Sequence, residues 1–106
     1  MKIDNLENMI GGWFVGAFKP SVFNTDSCEV ALKRYAKGDN EKAHYHKIST
    51  EITLVVEGEV LMSGKVYKKG DIIVLKPGEI TDFNALTDAV NVVVKIPGTL
   101  NDKYIV

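Results

Sequence analysis

The sequence predicts an all-β fold, an antiparallel sandwich or barrel preceded by one short helical turn. Three observations carry that prediction. Short runs rich in valine, isoleucine, threonine and aromatic residues recur along most of the 106-residue chain. Turn signals bearing glycine or proline separate them, and apolar residues fall at helical spacing only near the start. Many short strands so punctuated suit a closed or double-layered antiparallel architecture.

The elements follow in order. Ile3, Leu6, Met9 and Ile10 recur at helical spacing, Asp4 and Glu7 have the offset of a capping box, and Gly11-Gly12 supplies a stop. Strands are expected over Trp13–Phe18 and Cys28–Tyr35, divided by a loop over Lys19–Ser27. Ala43–His46, Ile52–Glu57 and Val60–Met62 come next. Ser63-Gly64 is a tight-turn pair that joins Val60–Met62 to Lys65–Tyr67 as a hairpin. Lys69-Gly70-Asp71 turns into Ile72–Leu75, Pro77-Gly78 into Thr81–Leu86, and Asn91–Ile96 closes the series. In Ile52-Thr53-Leu54-Val55-Val56 apolar residues occupy both parities, as in a strand covered on both sides. A partner chain or the apolar end Tyr104-Ile105-Val106 would supply the outer cover.

No repeat, low-complexity tract or linker interrupts residues 1–106, so a single domain is expected, long enough to bury one core. The net charge of −1 provides no broad basic field, so neither nucleic acid nor an anionic membrane is an expected partner. Lys65, Lys68 and Lys69 read as a solvated hairpin edge. No stretch has the length or apolarity of a secretory signal or a membrane span. The one cysteine, Cys28, cannot form an internal disulfide, which is compatible with a cytoplasmic location. Its alternation with Val30 and Leu32 reads as a core thiol.

The chemistry is concentrated between Gly38 and Gly58, where the only two histidines, His44 and His46, precede Glu51. Alternate residues of a strand face the same way, so both imidazoles can converge on one point. Glu51 can join them from the next strand, across the turn Lys47-Ile48-Ser49-Thr50. Two neutral imidazoles and a carboxylate form the facial set that holds non-haem iron with positions left open. The same trio could hold zinc with water as the fourth ligand. A His-x-His pair alone is as well explained by surface or core histidines. Glu51 and the bracketing glycines tip the reading toward metal. Tyr45 points to the opposite face and reads as packing.

The pattern Gly38-x5-His44-x-His46-x4-Glu51-x6-Gly58 resembles the first motif of the cupin superfamily at every fixed position. The stretch from Gly70 to Gly78 resembles the first half of the second motif, with Lys76 in the usual proline position and Pro77 one residue later. The family's fourth metal ligand, a histidine three residues after the second glycine, is replaced by Thr81. The asparagine that often ends the motif would fall at Ala85, one residue after Asn84. The resemblance implies a jelly-roll β-barrel with three of four ligands to a divalent ion (Fe, Zn, Mn or Ni). It also implies a homodimer, the common state of small cupins.

Around this site several roles stay open. Thr81 either lines the pocket or is a β-branched strand residue, and Asp82, of opposite parity, replaces the missing ligand only if a bulge turns it inward. Arg34 shares parity with Val30 and Leu32 and either reaches the pocket mouth, to clamp an anionic ligand, or ends a solvated strand. Glu57 and Asp82 are the acidic groups that could act as base. The expected function is that of a metal-dependent oxygenase or isomerase on a small polar metabolite. The alternative is a non-catalytic cupin that binds a sugar-like or anionic small molecule.

Overall fold

The computed structural model describes residues 1–106 as ten strands and a single 3₁₀ turn, Leu6–Asn8. The strands are β1 (Trp13–Val15), β2 (Glu29–Tyr35), β3 (Asn40–Tyr45), β4 (Thr50–Glu57), β5 (Glu59–Met62), β6 (Lys65–Lys68), β7 (Ile72–Leu75), β8 (Thr81–Ala85), β9 (Ala89–Ile96) and β10 (Tyr104–Ile105). They form two five-stranded sheets, β1-β2-β9-β4-β7 and β10-β3-β8-β5-β6, with every strand pair antiparallel. The predicted β architecture is therefore the observed one.

Local differences have physical causes. The helical turn is capped by Asn5, whose side chain accepts from the Glu7 N–H at 2.9 Å; Asp4 instead accepts from Asn5 and Asn8. β1 ends at Val15 rather than Phe18, and β3 begins at Asn40, earlier than its polar residues suggest. The Ser63-Gly64 hairpin forms as expected between β5 and β6. Gly38 and Gly58, the motif's two ends, both adopt positive φ, and a Cβ at Gly58 would strike the Asp88 carbonyl.

The interior has two unlike ends. Val55, Val60, Met62, Phe83, Ala85 and Ala89 form an apolar plug, extended by Tyr35, Tyr67, Ile73 and Leu75. Tyr35 and Phe83 pack with ring centroids 4.4 Å apart. Beyond the plug the same inward parity carries polar residues. Register places Glu29, Lys95 and Glu51 side by side across β2, β9 and β4, followed by Ala31, Val93 and Thr53, then Lys33, Asn91 and Val55.

The outer face of this sheet is apolar. Leu32, Val92, Leu54 and Ile72 form one cross-strand row, and Val30, Val94, Ile52 and Val74 the next. Ile72 and Val74 are 65% and 50% exposed. This explains the double-parity run in β4: its two faces meet the barrel interior and an apolar plane that is most exposed at β7 and adjoins the N-terminal segment at Leu32. The apolar C-terminal residues, one candidate cover, pair with β3 in the other sheet as β10. Cys28 is half-buried just before β2 and is not a core residue.

Candidate metal centre

The polar end of the barrel encloses a cavity of about 200 Å³ between the two sheets. His44, His46, Glu51 and Thr81 all line it. The pleat brings the histidines to one side, their rings edge to face with centroids 5.7 Å apart. Tyr45, between them, points the other way and stacks on Tyr104 at 5.5 Å. The Gly78 N–H donates to the His46 carbonyl at 2.7 Å, so the turn opening β8 anchors the end of β3.

His44 Nδ1 lies 2.7 Å from the Lys42 carbonyl. A carbonyl only accepts, so Nδ1 carries the proton and Nε2 keeps its lone pair, the arrangement found when a backbone acceptor orients a metal-binding histidine. His46 Nε2 is buried with no hydrogen-bond partner. Burial, with Lys95 and His44 nearby, pushes the His46 pKa down to about 4, so its imidazole is neutral. Burial also pushes the Glu51 carboxyl up, against the pull of Lys95. Glu51 Oε2 lies 3.8 Å from His46 Nδ1, beyond hydrogen-bond length. The donor set suits a divalent ion: two imidazoles and a carboxylate. The side chains do not yet close on one point, since no three His, Cys, Asp or Glu groups are gathered tightly enough to grip an ion. A shared ion requires side-chain rotation inside the cavity.

The remaining predicted residues are placed as follows. Thr81 lies opposite His44 in the β3–β8 register and is buried. Its hydroxyl donates to the Asp82 carbonyl at 2.7 Å and accepts from Ser63 Oγ at 3.1 Å. Asp82 accepts from the Ser63 N–H at 2.9 Å and does not line the cavity, so it does not stand in for the fourth ligand. Arg34 is exposed near the end of β2 and does not line the cavity, so of its two readings the solvated strand end is the observed one. Its parity with Val30 and Leu32 is the outer one, because the apolar side of β2 faces away from the barrel interior. Glu57 is exposed and also does not line the cavity.

Other residues escape the sequence reading. Lys33, Lys95, Lys103, Glu41, Trp13 and Asn91 share the cavity wall. Burial and the neighbouring Lys103 and Lys95 lower the Lys33 pKa, although Glu41 acts the other way. The Glu41 carboxyl falls below its ordinary range despite burial, because Lys103 bonds it at 3.0 Å. Asp102 is buried and accepts the peptide N–H groups of Lys47, Ile48 and Ser49 at 3.1, 3.0 and 2.9 Å. Burial raises its carboxyl, but those three donors outweigh it and the net shift is downward. Asp102 thus fixes the turn that sets His46 against Glu51. No local motif marks it, because its partners lie more than fifty residues away.

No family model and no curated protein matches the sequence. Solved structures do match. An uncharacterized Klebsiella pneumoniae protein with a double-stranded β-helix domain is 21% identical, with TM-score 0.69, over 92% of this chain and 86% of that one. A sugar phosphate isomerase of the cupin superfamily from Silicibacter pomeroyi is 24% identical with TM-score 0.61, over 66% and 50% of the two chains. Oxalate decarboxylase from Bacillus subtilis, a protein with Mn(II) centres, is 18% identical with TM-score 0.65, over 76% of this chain and 24% of that one. At these identities the likeness is one of fold, and the fold of this chain is that of the cupins.

Proposed function

We propose that this protein is a metal-dependent enzyme acting on a small polar metabolite, with His44, His46 and Glu51 holding a divalent ion (Fe, Zn, Mn or Ni). The observation that carries this reading is the buried His46 Nε2 without a partner, on a ring whose Nδ1 lies 3.8 Å from the half-buried Glu51 and whose neighbour is the backbone-oriented His44. An unpaired buried acceptor costs about 1–3 kcal/mol, a cost that ligation would offset. When bound, such an ion supplies Lewis-acid polarisation of a ligand oxygen. The chain supplies the rest. His46 is a neutral donor, the Lys42 carbonyl orients His44, Asp102 holds the turn against Glu51, and Phe83 and Met62 close the inner end of the cavity to water. An oxygenase or isomerase reaction on a small metabolite suits this arrangement, and fold neighbours named as a decarboxylase and an isomerase lend support.

The test is elemental analysis of anaerobically purified protein. The native chain should carry about one ion per protomer, and His44→Ala should carry a small fraction of that. Equal metal content in the two samples would remove the assignment. A second reading, a binding protein without turnover, has its support in Thr81. The hydroxyl there is spent on Asp82 and Ser63 and adds no ligand. Turnover lost on chelation and in His46→Ala separates the two.

The partner proposed for the outer face of β2-β9-β4-β7 is a second copy of the chain. The two apolar rows span four strands, roughly 15–20 Å, and contain no charged residue. A self-complementary apolar plane suits an isologous homodimer.

A further inference from the structure

We infer that the cavity takes a small dianion, a dicarboxylate about the size of malonate or succinate, with one carboxylate at the metal centre and the other between Lys33 and Lys95. The inference rests on the metal reading above and adds a second, independent anchor to it.

That anchor begins with Trp13. The Lys33 and Lys95 ammoniums lie 5.6 and 4.9 Å from the centroid of this one indole. Two like charges are thus brought to a single ring inside a cavity wall, an arrangement that cation–π attraction alone supports weakly. Neither lysine forms an ion pair. Glu29 and Glu51 flank Lys95 in register on β2 and β4, yet neither carboxylate engages its ammonium. The third cavity lysine, Lys103, differs, since it is already paired with Glu41 at 3.0 Å. The wall therefore holds one close ion pair and two lysines without a contact counterion, whose charges Glu41 and Glu51 offset only from a distance.

The metal centre lies beside this anchor, since Glu51 neighbours Lys95 in register, and it has the same sign. Glu51 offsets only one charge of a divalent ion, and the histidines offset none. Ion and lysines together leave a positive excess that a neutral sugar or a monocarboxylate cannot match. A dicarboxylate can: each ammonium provides charge-assisted donors for the distal group, and the indole provides a flat apolar wall for the carbons between. Volume sets the size. About 200 Å³ equals roughly six or seven water volumes, room for malonate or succinate together with a few waters.

The experiment is calorimetric titration of Mn(II)-loaded and chelator-stripped protein with malonate, succinate, acetate and propionate, in the native chain and in Lys33→Met/Lys95→Met. Metal content is measured in every sample. On the loaded native protein the better dicarboxylate should bind at least tenfold tighter than either monocarboxylate. The double variant should lose that preference while retaining its metal, and Lys95→Arg, which keeps the charge, should preserve it. No preference in the native chain, or a preference that survives in the double variant, overturns the inference. If the double variant fails to fold, Lys95→Met alone is read by the same criterion. A lysine-dependent preference that persists in stripped protein, together with metal content indifferent to His44→Ala, would sink the metal reading and leave the lysine anchor standing.

Discussion

The two faces of the β1-β2-β9-β4-β7 sheet reverse the usual arrangement. Antiparallel sheets with one wet side generally turn apolar residues inward and polar ones outward. Here the interior-facing side carries Glu29, Lys95, Glu51, Lys33 and Asn91, while the outer side carries Leu32, Val92, Leu54, Ile72 and their neighbours. Ala31 and Val93 interrupt these polar groups, and the inner face becomes apolar throughout only at the plug end, around Val55 and Ala89. The difference teaches that this sheet was not arranged for stability alone. Its inner polar groups occupy positions where hydrophobic residues would pack better, and its outer face leaves apolar area to be covered by something else.

Breaking the support of the polar face should have the largest effect. Asp102→Ala removes the acceptor for three peptide N–H groups and should cost about 2–3 kcal/mol in chemical denaturation. Amide exchange at Lys47, Ile48 and Ser49 should quicken with it. Unchanged protection there would mean that the turn stands without its clamp.

Acid should weaken the same face next. The folded His46 pKa is near 4 against an ordinary value of 6.5. Between those values the unfolded chain binds a proton that the folded chain refuses, so stability falls as pH drops from about 6.5 toward 4. Asp102, whose folded pKa is depressed, adds a further loss at still lower pH, as its carboxylate is protonated. In metal-free protein, His46→Gln should flatten the upper part of this profile. A slope unchanged by that substitution would assign it to another group.

A smaller effect of opposite sign is expected at Asn91, whose Oδ1 is buried without a partner. Asn91→Leu keeps the branched outline, directs its extra bulk into the cavity, and should stabilise the fold by about 1 kcal/mol. Destabilisation would show that the amide has a use inside the cavity that geometry alone does not reveal. The outer face should be the least sensitive in stability and the most sensitive in assembly. Val74→Glu should change unfolding of the isolated chain by no more than about 0.5 kcal/mol. It should nevertheless convert a dimer in sedimentation to a monomer, and a native chain that sediments as a monomer would end the proposal of a second copy.

This reversal also explains what could be read from the sequence and what could not. Strand positions were legible because alternation and turn chemistry are local, and the meeting of His44, His46 and Glu51 at one cavity because their spacing falls within one short segment. The inward direction was not legible. Arg34 and Cys28 take the parity of Val30 and Leu32, the parity that reads as buried, and here the outer one. Lys33 and Lys95 look like solvent-facing residues of ordinary strands, and nothing nearby in sequence says that Trp13 will meet both. Asp102 sits in an unremarkable polar stretch, and its role depends on tertiary closure. Strand β10 is two residues long, too short for any pattern to announce it.

The clamp by Asp102 has a consequence for how the molecule is made. Ser49 waits for an acceptor that emerges 53 residues later, so a nascent chain can pair most of its ladders before the turn between His46 and Glu51 is set. Competence at the centre is thus acquired last during synthesis. A truncated product lacking Asp102 would retain a recognisable β-sheet signal while failing to hold its chemical groups in place.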